Sequence, residues 1–394
     1  MKKTGKFCCF NRYDQRWIYV LYLLVFTLAT LHKLFLTEGS FNNFDIFRYS
    51  YAHLINGDNL YIHYPEHHFD LFKYSPSFAM FMAPFWYLPR LPGVIIWNLI
   101  NALLPVYALN QFNLTLKHKW FFALFILIEM LTSVQNAQSN GLMLGLMILG
   151  YHAIEKGKVG SAAIAIIVGF VIKIFALGVS ILVLFKPFKL QFTLWSMLIG
   201  IVVLMSPAVF TGFGGLFDQY ASWIHLLAND TAIALNFSIM SFFERTINLV
   251  MPNSIWLVSG LLLLFLPLIR ISYYSNKRWR MNYFALLLLW VVLFIHKTES
   301  PTFVIAMAGA SLWYILSEQS KAHKTLIVIV FIFTGLAATD IFPYTVRENF
   351  IKPFAIKVFP CIILFFFMLY ELLFKKNFDT FPDNKTILLK HETE

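Results

Sequence analysis

Long apolar runs recur along this chain, and many of them approach the length of a membrane span. A spanning helix needs about 20 mostly apolar residues, because its backbone must satisfy its own hydrogen bonds across the hydrocarbon core. The first run, from Trp17 to Phe35, is followed by no small-residue cleavage site and is therefore not expected to be a removable signal peptide. Spans are predicted near 16–36, 94–112, 120–134, 141–155, 192–210, 254–272, 281–296, 302–318, 325–342 and 355–374. The chain is therefore predicted to be an all-α polytopic membrane protein.

Composition agrees, since 59% of the 394 residues are hydrophobic and 13% are charged, against about a quarter charged in soluble domains. A net charge of +11 would suggest nucleic acid in a soluble protein. Here the basic residues form short clusters between apolar runs, as cytoplasmic loops do. Such clusters are Lys2-Lys3, Lys117–Lys119, Lys156/Lys158, Lys186/Lys189, Lys277–Arg280, Lys321/Lys324 and Lys375-Lys376. The pattern predicts a cytoplasmic (plasma) membrane protein with both termini cytoplasmic, membrane lipids as partners and no nucleic-acid partner.

Two apolar segments do not fit a simple crossing. Residues 159–186 are basic at both ends and carry Lys173 in the middle. Two half-helices that dip in and return, with Lys173 near the far side, would keep both basic ends inside. Residues 77–90 are short and interrupted by prolines. They are expected to lie along or dip into the outer face, with a genuine span as the alternative.

The remaining polar, non-basic residues fall on the side opposite the basic clusters. The segments placed there are 37–76, 135–140, 211–237, 296–301 and 343–353. Residues 1–394 are interpreted as a single domain with a first external loop (37–76) and a second long external loop (211–237). Long loops gathered on one side often carry the functional residues of a protein.

The first external loop contains an amphipathic stretch that starts near Asp45 and ends at the turn signal Asn56-Gly57. On a helix, Asp45, Arg48 and Tyr49 would share one face. Asp45 is alternatively an N-cap of an interfacial helix. The tyrosines of the loop, Tyr49 and Tyr74 among them, are alternatively interfacial belt aromatics.

Several short motifs, taken in order, resemble one enzyme family. They are Asp45-x-x-x-Tyr49-x-x-Ala52, Gly57-Asp58-Asn59-Leu60-Tyr61, Phe72-Lys73-Tyr74-Ser75-Pro76 with Pro84, Trp97-Asn98-Leu99, Gln138-Ser139-Asn140-Gly141-Leu142, Lys156-Gly157-Lys158 with Lys173, and Asn236-Phe237-Ser238 with Arg245. Together they resemble glycosyltransferase family 87 of the GT-C superfamily, polyprenol-phosphate-mannose-dependent mannosyltransferases. The resemblance spans most of the chain and implies a GT-C-like fold, with about 11–13 transmembrane helices and interfacial helices in the first external loop.

The resemblance also implies a reaction. Enzymes of this superfamily place an acidic residue near the start of the first external loop, where Asp45 lies. The implied activity is transfer of mannose, or of another hexose or a pentose, from a polyprenyl-phosphate sugar to a glycolipid or glycan acceptor. Asp45 would act as the base on the acceptor hydroxyl, with inversion at the anomeric carbon.

Charge on the departing lipid phosphate would be stabilised by fixed cations. The candidates are Lys173, Arg245, Arg48 and Lys297. Lys173 is favoured because a lysine in an apolar run needs a partner or a cavity, although snorkelling to the interface is the alternative.

The turn from His296 to Thr302 is the densest external polar cluster, and His296 could assist proton transfer. Contacts to the sugar or acceptor are expected from Tyr49, Tyr74, Gln138, Asn140 and Asn236, although Gln138 and Asn140 are alternatively a simple polar turn. The histidines around Glu66 are irregularly spaced, so no metal site is predicted, and no cofactor besides the lipid-linked donor is expected.

Two other classes remain as alternatives. A lipid or solute transporter or flippase would be expected to show an internal repeat, and no convincing repeat is apparent. A polysaccharide polymerase or ligase usually carries its large external loop late in the chain, whereas the acidic loop here follows the first span.

Overall fold

A computed structural model describes residues 14–37, 40–229, 236–337 and 339–378, and these residues form helices and no strand. The first half contains α1 Arg16–Leu36, α2 Asn42–Asn56, α3 Pro76–Phe81, α4 Ala83–Tyr87, α5 Arg90–Asn110, α6 Leu116–Gln135, α7 Asn140–Glu155, α8 Val159–Ile172 and a 3₁₀ helix Ile174–Phe185. The second half contains α9 Lys189–Met205, α10 Ala208–Asn229, α11 Ile239–Ile247, α12 Asn253–Phe265, α13 Lys277–Leu293, α14 Phe303–Leu316, α15 Lys321–Val330, α16 Tyr344–Val346 and α17 Phe359–Phe374. The prediction of an all-α membrane protein is confirmed.

Most predicted spans correspond to helices with small shifts at their ends, but the span predicted at 192–210 runs across the break between α9 and α10, and the one at 325–342 extends past the end of α15 at Val330. Three stretches are long and apolar enough to cross a membrane, namely α1, α5 and 356–374. The pair α9 and α10 qualifies jointly but is bent by 94°. Several other apolar helices are shorter, so the number of crossings stays a prediction. The terminal segments 1–13 and 379–394, predicted to be cytoplasmic, lie outside the described residues.

The core is built around the antiparallel pair α13 and α14. Every residue from Arg278 to Leu293 is buried, and α14 is almost equally enclosed. A helix that is apolar on all sides must be surrounded by other helices. By contrast, α9 exposes large apolar side chains such as Leu194, Leu198 and Ile201, which is the pattern of a helix that faces lipid.

Residues 159–186 form a helical hairpin. The chain leaves α8, reverses at Lys173 in an extended conformation (φ −148°, ψ 142°) and returns through the 3₁₀ helix. Gly169 allows the two arms to touch, because a Cβ there would lie 2.5 Å from the Cβ of Ala176. Lys186 at the end of the hairpin pairs with Glu155 at the end of α7, at 3.1 Å. The hairpin therefore begins and ends at the same end of the molecule, and Lys173 lies at its far tip, as predicted.

Residues 77–90 form α3 and α4, which have six and five residues. At 1.5 Å per residue the longer one spans about 9 Å, far less than the roughly 30 Å of a bilayer core. Neither helix is long enough to cross by itself, which favours the expectation that the segment lies along or dips into the outer face; whether it crosses stays a prediction. The segment 211–237, predicted as a loop, is helical as far as Asn229, and residues 230–235 are not described.

The two ends of α7 define two ends of the molecule, about 24 Å apart by helix rise. At the Glu155 end, the Glu155 carboxylate pairs with Arg280 (2.6 Å) and Lys186. At the same end, Arg278 at the start of α13 donates to the carbonyl of Phe378, which follows α17, at 2.7 Å. The basic start of α13 therefore lies at the Glu155 end. At the Asn140 end lie the first external loop, the hairpin tip and the turn after α13. The polar side chains with possible chemistry thus share the Asn140 end.

Candidate functional site

Asp45 lies in the first turn of α2 and is held by an arginine. Its Oδ1 accepts from Nε of Arg90 at 2.8 Å, and its Oδ2 accepts from Nη2 at 2.7 Å. The same Nη2 also donates to the carbonyl of Ser40 at 2.6 Å. The residue that caps α2 is Phe41, with φ 67° and no side-chain cap. The N-cap interpretation of Asp45 is therefore wrong, because the carboxylate is used for an ion pair with α5.

The Asp45–Arg90 pair borders a cavity of about 190 Å³. The cavity is lined by Asn42, Asp45, Pro65, Glu66, His67, His68, Phe69 and Arg90. The Asp45 side chain is 16% exposed and that of Arg90 is 38% exposed. A carboxylate has about four lone-pair directions, so two N–H bonds from Arg90 leave it able to accept another proton donor from the cavity.

The two other α2 residues on this face have different surroundings. Arg48 donates to the carbonyls of Phe85 (3.1 Å), Trp86 (3.3 Å) and Leu88 (3.2 Å) at the end of α4. Tyr49 stacks on His67, with ring centroids 4.2 Å apart. Arg48 thus ties α2 to α4, whereas Tyr49 forms part of the wall around the histidines.

A histidine cluster closes the other side of this cavity. Nε2 of His53 lies 3.0 Å from Nδ1 of His67, and Nδ1 of His68 lies 2.7 Å from the carbonyl of Asp70. Burial, with the neighbouring His67 and His68, lowers the pKa of His53 to about 4; burial likewise lowers the pKa of His68. In the described part of the chain, no group of three or more His, Cys, Asp or Glu is arranged to hold a metal ion.

A second polar cluster surrounds the hairpin tip. Nζ of Lys173 donates to Oδ1 of Asn140 at 2.7 Å, and Nε2 of Gln138 donates to Oε2 of Glu299 at 3.0 Å. The negative charge of Glu299 acts on both Lys173 and Tyr74. Burial raises the pKa of Tyr74, so its hydroxyl stays protonated near neutral pH. The cluster combines a cation, a carboxylate and several neutral donors.

A tight turn between α6 and α7 positions this cluster. Gly141 is required there, because a Cβ would lie 2.2 Å from the carbonyl oxygen of Asn101. Oδ1 of Asn101 in turn accepts from the backbone N–H of Leu142 at 2.8 Å. The residues Gln138, Ser139 and Asn140 are all buried. Their polar side chains are therefore built into the structure and are more than a simple solvated turn.

The two clusters meet along α2. Asn43, two residues before Asp45, donates to the carbonyl of Asn136 at 2.8 Å. Phe47, two residues after it, packs edge-on against Tyr74 at 4.9 Å. The helix that carries Asp45 thus lies directly against the turn that carries Gln138 and Asn140.

The remaining predicted residues lie around this region. His296 and Lys297 are exposed in the turn after α13. The backbone N–H of Phe237 donates to the carbonyl of Thr298 at 2.7 Å, which brings Asn236 to the same turn. Oδ1 of Asn236 accepts from Ser238 and Ser241 at the start of α11. Arg245 is farther along α11 and donates to the carbonyl of Lys352 at 3.3 Å.

Sequence reasoning missed Arg90 and gave Glu299 little weight. Arg90 follows Pro89 at the start of an apolar run, a position typical of an interfacial anchor. Arg90 is a lone basic residue on the predicted external side, away from every basic cluster. That position is the signal that could have identified it. For Glu299 the signal is its place among polar residues in a short turn between two strongly apolar segments.

Comparison with known proteins identifies the chain. A search of curated proteins finds no match. The profile of glycosyltransferase family 87 matches residues 72–301, which is more than half of the 394 residues and includes Arg90, the hairpin and the turn with Glu299. Asp45 precedes the matched range, so its role depends on the geometry described above. The chain is a membrane protein that belongs to glycosyltransferase family 87.

Proposed function

We propose that this glycosyltransferase moves a sugar, mannose by preference, from a polyprenyl-phosphate carrier to a hydroxyl of a glycolipid or glycan. The observation that carries the proposal is the arrangement of Asp45. Its carboxylate is fixed by two bonds from Arg90 and borders a cavity, and the helix that carries it packs against the turn whose Asn140 accepts from Lys173. A positioned base and a positioned cation at one end of a membrane protein suit a lipid-linked donor.

In the proposed reaction, Asp45 accepts the proton of the acceptor hydroxyl as the acceptor oxygen bonds to the anomeric carbon. The bond from that carbon to the phosphate oxygen breaks, and the lipid phosphate leaves with the electron pair. Attack and departure occur on opposite faces of the sugar, so the configuration inverts. Arg90 is a positioning residue, because it fixes both carboxylate oxygens and leaves lone pairs for the incoming hydroxyl.

Lys173 is the proposed cation for the departing phosphate. It lies at the tip of the hairpin, where Asn140 orients its ammonium group at 2.7 Å, and a fixed cation stabilises developing charge without reorganisation. Lys297 and Arg245 remain secondary candidates. Arg48 is a weaker candidate, since three carbonyls take its donors. His296 is retained as an auxiliary acid or base, and Glu299 is added to Gln138 and Tyr74 as a proposed sugar contact.

The positive-inside rule supports the proposed orientation. Basic residues of two clusters, Lys186, Arg278 and Arg280, gather at the Glu155 end, so we place that end and both termini in the cytoplasm. The Asn140 end then faces the extracytoplasmic side of the cytoplasmic membrane, where carrier lipid and acceptor would meet. The proposed reaction uses no cofactor besides the lipid-linked donor, and transfer measured with a chelator present tests that point.

A donor screen tests the proposal. Purified protein in vesicles would be given polyprenyl-phosphate mannose, polyprenyl-phosphate glucose, a polyprenyl-phosphate pentose and the matching nucleotide sugars, with a mixed glycolipid acceptor pool. We expect sugar transfer only from the polyprenyl-phosphate sugars and not from the nucleotide sugars. Transfer from nucleotide sugars without lipid carrier would contradict the proposal.

A further inference from the structure

A second charge pair lies buried behind the turn that carries Glu299. Nζ of Lys357 lies 2.8 Å from the carboxylate of Glu129 on α6. The Glu129 side chain is 0% exposed and that of Lys357 is 2% exposed. The two residues are 228 positions apart in sequence, so the pair forms only when the last helix has docked on the bundle.

The same ammonium group also holds the turn. Nζ of Lys357 donates to Oγ of Ser300 at 2.8 Å and to its carbonyl at 3.2 Å. The charge also lies 4.8 Å from the centre of the Phe303 ring, at the start of α14. The three donors of the ammonium group are therefore directed to Glu129 and to both oxygens of Ser300.

Ser300 directly follows Glu299, and the two side chains serve different partners. Glu299 accepts from Gln138 and acts electrostatically on Lys173, whereas Ser300 bonds to Lys357. Thr298 fixes the turn from below, since its Oγ1 donates to the carbonyl of Val292 at 2.8 Å. Movement of Ser300 would therefore move the carboxylate of Glu299 relative to the site.

Such a pair is a poor means of stabilising a fold. Desolvation of two ions offsets much of their attraction, and apolar replacements of similar size are often neutral or stabilising. Among the described residues, the hydrogen bonds that join this pair to the turn with Glu299 go to Ser300. From this geometry we infer that Glu129 and Lys357 are positioning residues, which hold the turn 296–302 so that Glu299 contacts the bound sugar. The inference rests on the proposed function for its effect on transfer, but not for its effect on the turn.

The decisive variant is the double substitution Glu129→Leu with Lys357→Met, which removes both charges and leaves no unpaired ion. The matched control is Glu155→Leu with Arg280→Met and Lys186→Met, which likewise removes every charge of a comparable buried ion cluster, at the opposite end. Hydrogen–deuterium exchange of the peptide covering 296–302 reports the turn without any need for activity. We expect exchange there to rise at least tenfold in the double variant, with a thermal midpoint at or above the wild-type value, and to stay unchanged in the control.

The effect on transfer is tested with Glu299→Gln. The double variant is expected to lower kcat about tenfold to a hundredfold, the range of a small misplacement in an active site. In the Glu299→Gln background it should have little further effect, because the positioned group is already lost. Unchanged exchange in 296–302 would overturn the inference, as would a loss that multiplies fully with that of Glu299→Gln. Changed exchange with no transfer activity in any form would instead contradict the proposed function alone.

Discussion

Replacement of Lys173 by Met would remove the cation at the hairpin tip and keep an unbranched side chain of similar length. Lys173 is partly buried and donates to Asn140 at 2.7 Å. If its charge stabilises the departing phosphate, the loss must appear in transfer. If the side chain only snorkels toward the interface, transfer should hardly change.

The expected size of the loss in transfer follows from the proposed hydrogen bond between the Lys173 ammonium group and the departing phosphate, which the substitution removes. A hydrogen bond to a charged group contributes about 1.5–3 kcal/mol, and about 1.4 kcal/mol corresponds to a factor of ten. We therefore expect kcat/KM for the lipid-linked donor to fall about 10- to 150-fold. The fold should lose less, because the site keeps several other bonds, such as those from Gln138 to Glu299 and from the N–H of Leu142 to Asn101.

The assay is single-turnover transfer with radiolabelled donor in vesicles, with thermal unfolding measured on the same samples. Lys158→Met is the matched control, since Lys158 is exposed at the other end of α8. Lys173→Arg keeps the charge and should retain part of the activity. The phosphate role would be refuted if Lys173→Met transferred sugar within about twofold of the wild-type rate. It would also be refuted if Lys173→Met and Lys173→Arg lost the same amount of activity.

Three further predictions concern the hairpin, the arginine clamp and the histidines. Gly169→Leu should lower the thermal midpoint clearly through overpacking of the hairpin arms, whereas Gly214→Leu, where no atom lies within 4 Å of the added Cβ, should not; equal midpoints would contradict the hairpin. Arg90→Gln should reduce kcat at least tenfold by releasing Asp45, and an undiminished kcat would contradict the clamp. The pKa of folded His53 is about 4 and that of the unfolded residue is about 6.5, so its contribution to stability is complete above pH 6.5 and is lost as the pH falls toward 4. The free energy of unfolding, measured against pH, should show less of this loss in His53→Gln. An unaltered pH profile would contradict the prediction.

The helices could be predicted because each has a local signature. The α1 boundaries at Arg16 and Leu36 follow from one long, mostly apolar run, and α2 ends at Asn56 because Gly57 adopts the left-handed conformation (φ 77°). The hairpin could be predicted because two basic ends and one central lysine leave few arrangements that satisfy the charge rule. These features depend on neighbours in sequence.

The site contacts could not be predicted in the same way, because they join distant segments. The partner of Asp45 is 45 positions away and that of Gln138 is 161 positions away. The 94° bend between α9 and α10, which falls at residues 206–207, was also missed, because the apolar run continues across it. A further kink lies within α10 at Gly212, which takes φ 65°. Chemistry of this kind requires knowledge of which helices pack together.

Asp45→Asn tests the central claim most directly, measured as the rate of sugar transfer from the polyprenyl-phosphate donor. Asparagine keeps an acceptor for Arg90 but cannot take a proton at neutral pH. The account predicts that transfer falls about 10²- to 10⁴-fold, the usual contribution of a general base, with insertion and folding retained. Asp70→Asn, on the same loop, should leave the rate near that of wild type. Transfer by Asp45→Asn within about twofold of wild type would contradict the account.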